Sequence, residues 1–157
     1  MFNIELVGSG KGSGELFPVP MVDNALSEIT RFFVSMLGDI PGIGGRVYNV
    51  APPKDVKLPY LRFDFDEDED EVETTWISGV LTISIYDLSR SKSGVYRIQD
   101  RIRKKLHFLT YDDLTHTKKL RCWMAGGNDV GTDNKRVQRR DVSFRIKYYR
   151  LEDARLE

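Results

Sequence analysis

Residues 142–148 alternate between side chains that avoid water and side chains that seek it: Val142, Phe144, Ile146 and Tyr148 are separated by Ser143, Arg145 and Lys147. A period of two suits a β-strand with one dry face and one wet face, and suits no helix, which returns to the same face every three or four residues. Ile77, Gly79, Leu81, Ile83 and Ile85 repeat the pattern between Ser78, Val80, Thr82 and Ser84. Leu61, Phe63 and Phe65 do so around Arg62 and Asp64. A chain with three such stretches builds a sheet with one apolar face, and that face must be covered.

Two helical stretches are available as the cover. Val22, Ala25, Leu26, Ile29, Phe32, Phe33, Met36 and Leu37 recur at helical spacing between Pro20 and Gly38. Val95, Ile98, Ile102, Leu106 and Leu109 form a second stripe, flanked by Arg97, Arg101, Arg103, Lys104 and Lys105, with Ser91 or Ser93 as the expected N-cap. The strands pair most simply as two hairpins. One joins residues 61–65 to 77–85 across an acidic loop, 66–73; the other joins 118–124 to 137–151 across a glycine-rich loop, 125–135. A brief strand at 46–50 interrupts the Gly- and Pro-rich stretch 42–59. The order helix, strands, helix, strands predicts an α+β fold, an antiparallel sheet with two helices packed on one face.

A chain of 157 residues suits one such domain. Its expected limits are 21–151, preceded by an arm and flexible linker, 1–20, and followed by a tail, 152–157. The linker character rests on Gly8, Gly10, Gly12 and Gly14, interleaved with Ser9, Lys11 and Ser13.

Formal net charge is zero, yet the charges are segregated. Residues 90–150 hold 17 Lys or Arg against 6 Asp or Glu, whereas residues 1–89 hold 6 basic against 15 acidic. Copies of such a chain can pair an acidic surface of one with a basic surface of the next and remain neutral as an assembly. The candidate acidic patch is Asp66, Glu67, Asp68, Glu69, Asp70 and Glu71; the candidate basic patch is Arg97, Arg101, Lys104, Lys105, Arg136, Arg139 and Arg140.

Enzymatic and cofactor motifs fail on inspection. Residues 8–14 resemble a phosphate loop only in Gly10 and Lys11: the first required glycine would be Glu5, and the magnesium-binding Ser or Thr is Gly12. The acidic run lacks the spaced glycine and terminal Glu of a calcium loop. Neither His107 nor His116 has a Cys, His or carboxylate at a metal-ligand interval. Cys122, alone and in a strand pattern, reads as a small buried apolar group. The expectation is therefore no enzyme, no cofactor and no metal. No apolar run approaches the 18 residues of a membrane span, and residues 1–7 lack a signal-peptide pattern, so neither membrane insertion nor secretion by that route is expected.

Two short segments carry a family likeness. Gly45, Arg46, Val47, Tyr48, Asn49, Val50, Ala51 and Pro52, followed by Leu58, Pro59, Tyr60, Leu61, Arg62 and Phe63, resemble the bacteriophage tail-completion family, in which a helix leads to an Arg, apolar, Tyr strand, an Ala-Pro turn and a Leu-Pro-Tyr strand. The remaining order follows: a strand at 80–86, a helix at 94–109 and a final hairpin at 139–149, so the resemblance covers roughly residues 22–150. It implies a non-enzymatic virion protein of the neck, assembled in the host cytoplasm. As a tail terminator it would form a homo-hexameric ring on the tail tube protein, dock on the head connector or head-closure proteins, and let DNA pass through its lumen without specific binding. The arm 1–20 and the acidic loop 66–73 lie outside the family pattern. Two alternatives remain: a nucleic-acid-binding module using the basic helix 95–109, or another neck component such as a head-closure or connector protein.

Overall fold

The computed structural model describes residues 24–68 and 76–151. Helix α1, Ala25–Gly38, begins at Asn24, whose Oδ1 accepts the Ser27 N–H at 2.8 Å. That bond satisfies one of the donors that every helix start leaves open. Ala25, Ile29, Phe33 and Leu37 form its buried stripe, at the expected spacing. The following turn buries Ile40 and Ile43 and uses Gly42, Gly44 and Gly45 at positive φ (92°, 59° and 77°), a backbone that side chains with a Cβ resist.

Among the described residues, six strands form one sheet in the order β1-β2-β3-β6-β5-β4: β1 Val47–Tyr48, β2 Tyr60–Glu67, β3 Trp76–Leu88, β4 Leu109–Tyr111, β5 Thr117–Val130 and β6 Val137–Arg150. The two expected hairpins are present. β2 pairs antiparallel with β3 from Tyr60↔Tyr86 to Glu67↔Gly79, and β5 pairs antiparallel with β6. The longest register joins β3 to β6, from Trp76↔Tyr149 to Leu88↔Val137.

The sheet departs from pure antiparallel pairing at one end. β1 runs parallel to β2, with Val47 opposite Leu61. Residues 49–59, carrying Pro52, Pro53 and Pro59, return the chain to the same end of the sheet before β2 starts, as a parallel neighbour requires. The glycine-rich stretch is also mostly strand: β5 continues to Val130, with register shifts at Lys118/Arg121 and Met124/Gly126. Gly126, at φ 156°, lies at the second shift, where an extra residue is absorbed without ending the ladder.

Helix α2, Ser93–Leu106, buries Val95, Ile98, Ile102 and Leu106. Its N-cap position is Lys92, and no side chain caps it. Ser91 and Ser93 share a hydroxyl contact at 2.9 Å, and the Ser91 hydroxyl accepts the Ser93 N–H at 3.4 Å, short of the second and third helical N–H groups that an N-cap serves. Leu109 belongs to β4, because the chain leaves the helix at His107 and turns through Phe108 at φ 62°.

Both helices join one core with the inward residues of the sheet: Leu61 and Phe63 of β2; Ile77, Leu81, Ile83 and Ile85 of β3; Val142, Phe144, Ile146 and Tyr148 of β6; and Leu120 and Cys122 of β5. These share one face by alternation. The α+β architecture with both helices on a single face is thus the observed one, and the opposite face carries no helix among the described residues.

Candidate interaction surface

Side chains that alternate with the core residues line the face that the helices leave bare. Reading across the register, Tyr60, Tyr86 and Arg139 form one row, Arg62, Ser84 and Asp141 the next, then Asp64, Thr82 and Ser143, and then Asp66, Val80, Arg145 and Trp123. Beyond them lie Ser78, Lys147 and Arg121, followed by Trp76, Tyr149 and Lys118. Of the carboxylates without an ion pair among the described residues, Asp64 and Asp66 belong to β2, which also carries Arg62; the cations Arg121, Arg145 and Lys147 belong to β5 and β6.

At one end of this face the groups are tied together. The Tyr60 and Tyr86 rings stack at 4.6 Å, and the Arg139 guanidinium lies 5.5 Å from the Tyr86 ring while donating to both Asp141 carboxylate oxygens at 3.0 and 3.1 Å. The Asp141 hydrogen bonds raise the Arg139 pKa, and burial followed by the Tyr86 phenol raises that of Tyr60. Arg62, Asp64, Ser84, Tyr86, Arg139 and Asp141 enclose a shallow groove. Arg139 and Asp141 are matched to each other, and the lining is mainly polar, unlike the mainly apolar pockets that hold small molecules.

The other end is exposed. Arg121 and Arg145 are open to solvent, with no ion pair among the described residues. Lys147 lies over Trp76 at 5.5 Å, and Trp76 meets Tyr149 edge-on. Trp123, opposite Arg145, is 37% exposed. Aromatic and Arg side chains in this mixture characterise protein interfaces, and stacking platforms for nucleic acid as well.

The structure divides the basic patch expected from sequence. Arg139 and Arg140 are consecutive in a strand and point to opposite faces. Arg140 turns to the helix side, where it pairs with Asp129 at 2.9 Å, bonds Gln99 of α2 and lies 5.0 Å from the Tyr96 ring. Lys92 also pairs with Asp129, at 3.0 Å; together Lys92 and Arg140 depress the Asp129 pKa to about 2. On α2, Arg101 donates to the Pro41 carbonyl at 2.9 Å, and Lys104 shares Asp100 with Arg103. Arg97 and Lys105 also lie on α2, while Arg136 is exposed in the β5–β6 turn.

Of the acidic patch, Asp66 and Glu67 end β2, and Asp68 extends the ladder through its N–H to the Ser78 carbonyl at 2.8 Å. Glu67 faces the helix side and accepts the Tyr148 hydroxyl at 2.6 Å. Glu69, Asp70 and Glu71 fall outside the described residues, as do the arm 1–20 with its glycine linker and the tail 152–157. The cations that sequence reading missed, Arg121, Arg145 and Lys147, were legible as the polar half of the β5 and β6 alternation.

Cys122 is buried, and burial pushes its thiol up to about 12, so it stays protonated near neutrality. His107 Nδ1 accepts the Met124 N–H at 2.9 Å, a structural bond within the fold. Among the described residues, no three His, Cys, Asp or Glu side chains gather as a metal site requires, and no helix is long and apolar enough to cross a membrane.

No protein-family model matches the chain, and no curated protein does. Among solved structures, a chain from the virion of a native gene transfer agent particle is similar, with a TM-score of 0.56 and 15% identity over 72% of this chain and 84% of that one. At this identity the likeness is one of fold.

Proposed function

We propose that this chain is a structural, non-enzymatic subunit of a phage-like virion, forming a ring at the neck that caps the tail tube and joins it to the head. The observation that carries this reading is the fold: the helix, strands, helix, strands order of the tail-completion resemblance is the order of the structure, although 139–149 is one strand, β6, rather than a hairpin and the second helix ends at Leu106. A virion chain is similar in fold over 72% of this one. The surface agrees in kind, because a bare sheet face with Asp64 and Asp66 on β2 and Arg121 and Arg145 on β5 and β6, none ion-paired among the described residues, suits copies joined through unlike surfaces, and such contacts close rings.

In this reading the ring has six copies. The tail tube protein and the head connector or head-closure proteins are its neighbours, and DNA passes through the lumen without specific contacts. The chain acts within the virion after assembly in the host cytoplasm.

Light scattering of the purified protein, with negative-stain images in the presence of tail tubes, tests the proposal. Rings in solution or on tube ends are expected, and particles lacking the protein should accumulate separate heads and tails. A monomer that ignores tube ends, together with normal particles in its absence, would overturn it.

A further inference from the structure

Arg121 and Arg145 present charge that the fold itself does not use. Both are exposed on the bare sheet face, beside the half-exposed Trp123, and neither has an ion pair among the described residues. Asp64 and Asp66 lie on the same face, exposed, and likewise form no ion pair among the described residues. The two strips form no ion pair within one copy. β2 lies two strand spacings, about 10 Å, from β6 and three, about 14 Å, from β5.

Side by side, two copies remove that separation. β2 lies near one edge of the sheet, flanked by β1 only at Leu61 and Arg62, and β5 lies near the other, flanked by β4 only from Leu120 to Cys122. The free stretch of β5 begins at Trp123, next to Arg121, which β4 flanks, and one strand from Arg145 and Lys147. A copy placed head to tail in the plane of the sheet brings its Asp64 and Asp66 toward Trp123 and these cations, and buried Trp and Arg are the residues that most often dominate such contacts.

We infer that the bare face at Arg121, Trp123, Arg145 and Lys147 receives the Asp64–Asp66 strip of β2 from a second copy of this chain. The inference rests on the ring reading and names the surfaces that would close the ring. A second copy is favoured over a polyanion because the complement is present on the same chain and the total charge is zero, whereas nucleic-acid binders carry a net positive balance. Unlike surfaces meeting in this way give a contact that repeats around an axis.

The test uses the full chain with two charge reversals, R121E/R145E and D64R/D66R. All four side chains are exposed, so the melting midpoints should stay within a few degrees of wild type. Sedimentation is followed at about 50 mM salt and again at high salt, where screening over about 3 Å weakens the contact. The wild type is expected to assemble at low salt, each reversed chain to associate at least about tenfold more weakly, and an equimolar mixture of the two to assemble again. If the wild type assembles and both variants assemble equally well, the surfaces named here are wrong while the ring reading stands. If the wild type assembles neither alone nor on tube ends, the ring reading falls and takes the inference with it. If R121E/R145E abolishes binding of a single-stranded oligonucleotide yet leaves assembly intact, the face serves a polyanion and the inference is overturned.

Discussion

Glu28 in the first helix accepts the backbone N–H of His116, 88 residues further along the chain, at 2.8 Å. Its second carboxylate oxygen accepts the Thr115 N–H at 2.7 Å, and the side chain is 8% exposed. One carboxylate thus anchors the loop between β4 and β5 to the start of α1. Two N–H donors are satisfied just before β5 begins, where the sheet ladder does not yet serve them.

Replacing Glu28 by Ala should therefore cost more than an ordinary surface change. It leaves two part-buried donors without their acceptor, for a loss of about 2–4 kcal/mol in urea unfolding. Glu28→Gln, which keeps one accepting oxygen, should fall between the two.

Gly79 packs against the β2 backbone so closely that a Cβ would strike the Asp66 carbonyl and come within 2.8 Å of the Phe65 ring. Gly79→Ala is expected to destabilise by about 2–3 kcal/mol, while Gly131→Ala, with open space at the added Cβ, should change stability by less than about 1 kcal/mol. Thermal melts of the two variants would settle the contrast, and equal midpoints would show that β2 yields freely.

Cys122, 1% exposed and with its thiol near 12, should resist alkylation in the folded protein at pH 8 and react fully once unfolded. Mass spectrometry after iodoacetamide treatment, with and without denaturant, measures this directly. Rapid labelling of the native chain would mean that β5 opens readily.

The Lys92 and Arg140 hydrogen bonds that hold Asp129 down at about 2, against an ordinary 3.8, make a pH-dependent contribution to stability. A carboxylate with a lowered folded-state pKa stabilises above its unfolded value and loses that contribution as pH falls through the folded one. The wild type should lose stability more steeply than Asp129→Asn between pH 4 and pH 2, with the difference read from melting midpoints at each pH. Parallel curves would show that the exposed pair is screened into insignificance.

The period-two stretches made most of the sheet legible. Val142, Phe144, Ile146 and Tyr148 are buried as a set, as are Ile77, Leu81, Ile83 and Ile85, because alternation of side chains in a strand is a property of the local backbone. Strand β1 being parallel, the three-residue β4 and the continuation of β5 through its glycines were not legible, since each depends on a neighbour that the local pattern does not name. The placement of the basic patch on two faces was not legible for a similar reason. Arg139 and Arg140 look alike in sequence, yet one serves Asp141 on the bare face and the other Asp129 on the helix side.

What the sequence determined by itself was the inventory of faces: which residues leave water, where the helices start and stop to within a few positions, and that acidic and basic groups sit in different halves of the chain. Only the tertiary structure decided which of those charges are already matched. Lys92 finds Asp129 across 37 residues, Arg101 finds the Pro41 carbonyl across 60 and Glu28 finds His116 across 88. Such pairings follow from strand register and helix placement, set cooperatively by the whole core, whereas periodicity is set residue by residue along the backbone.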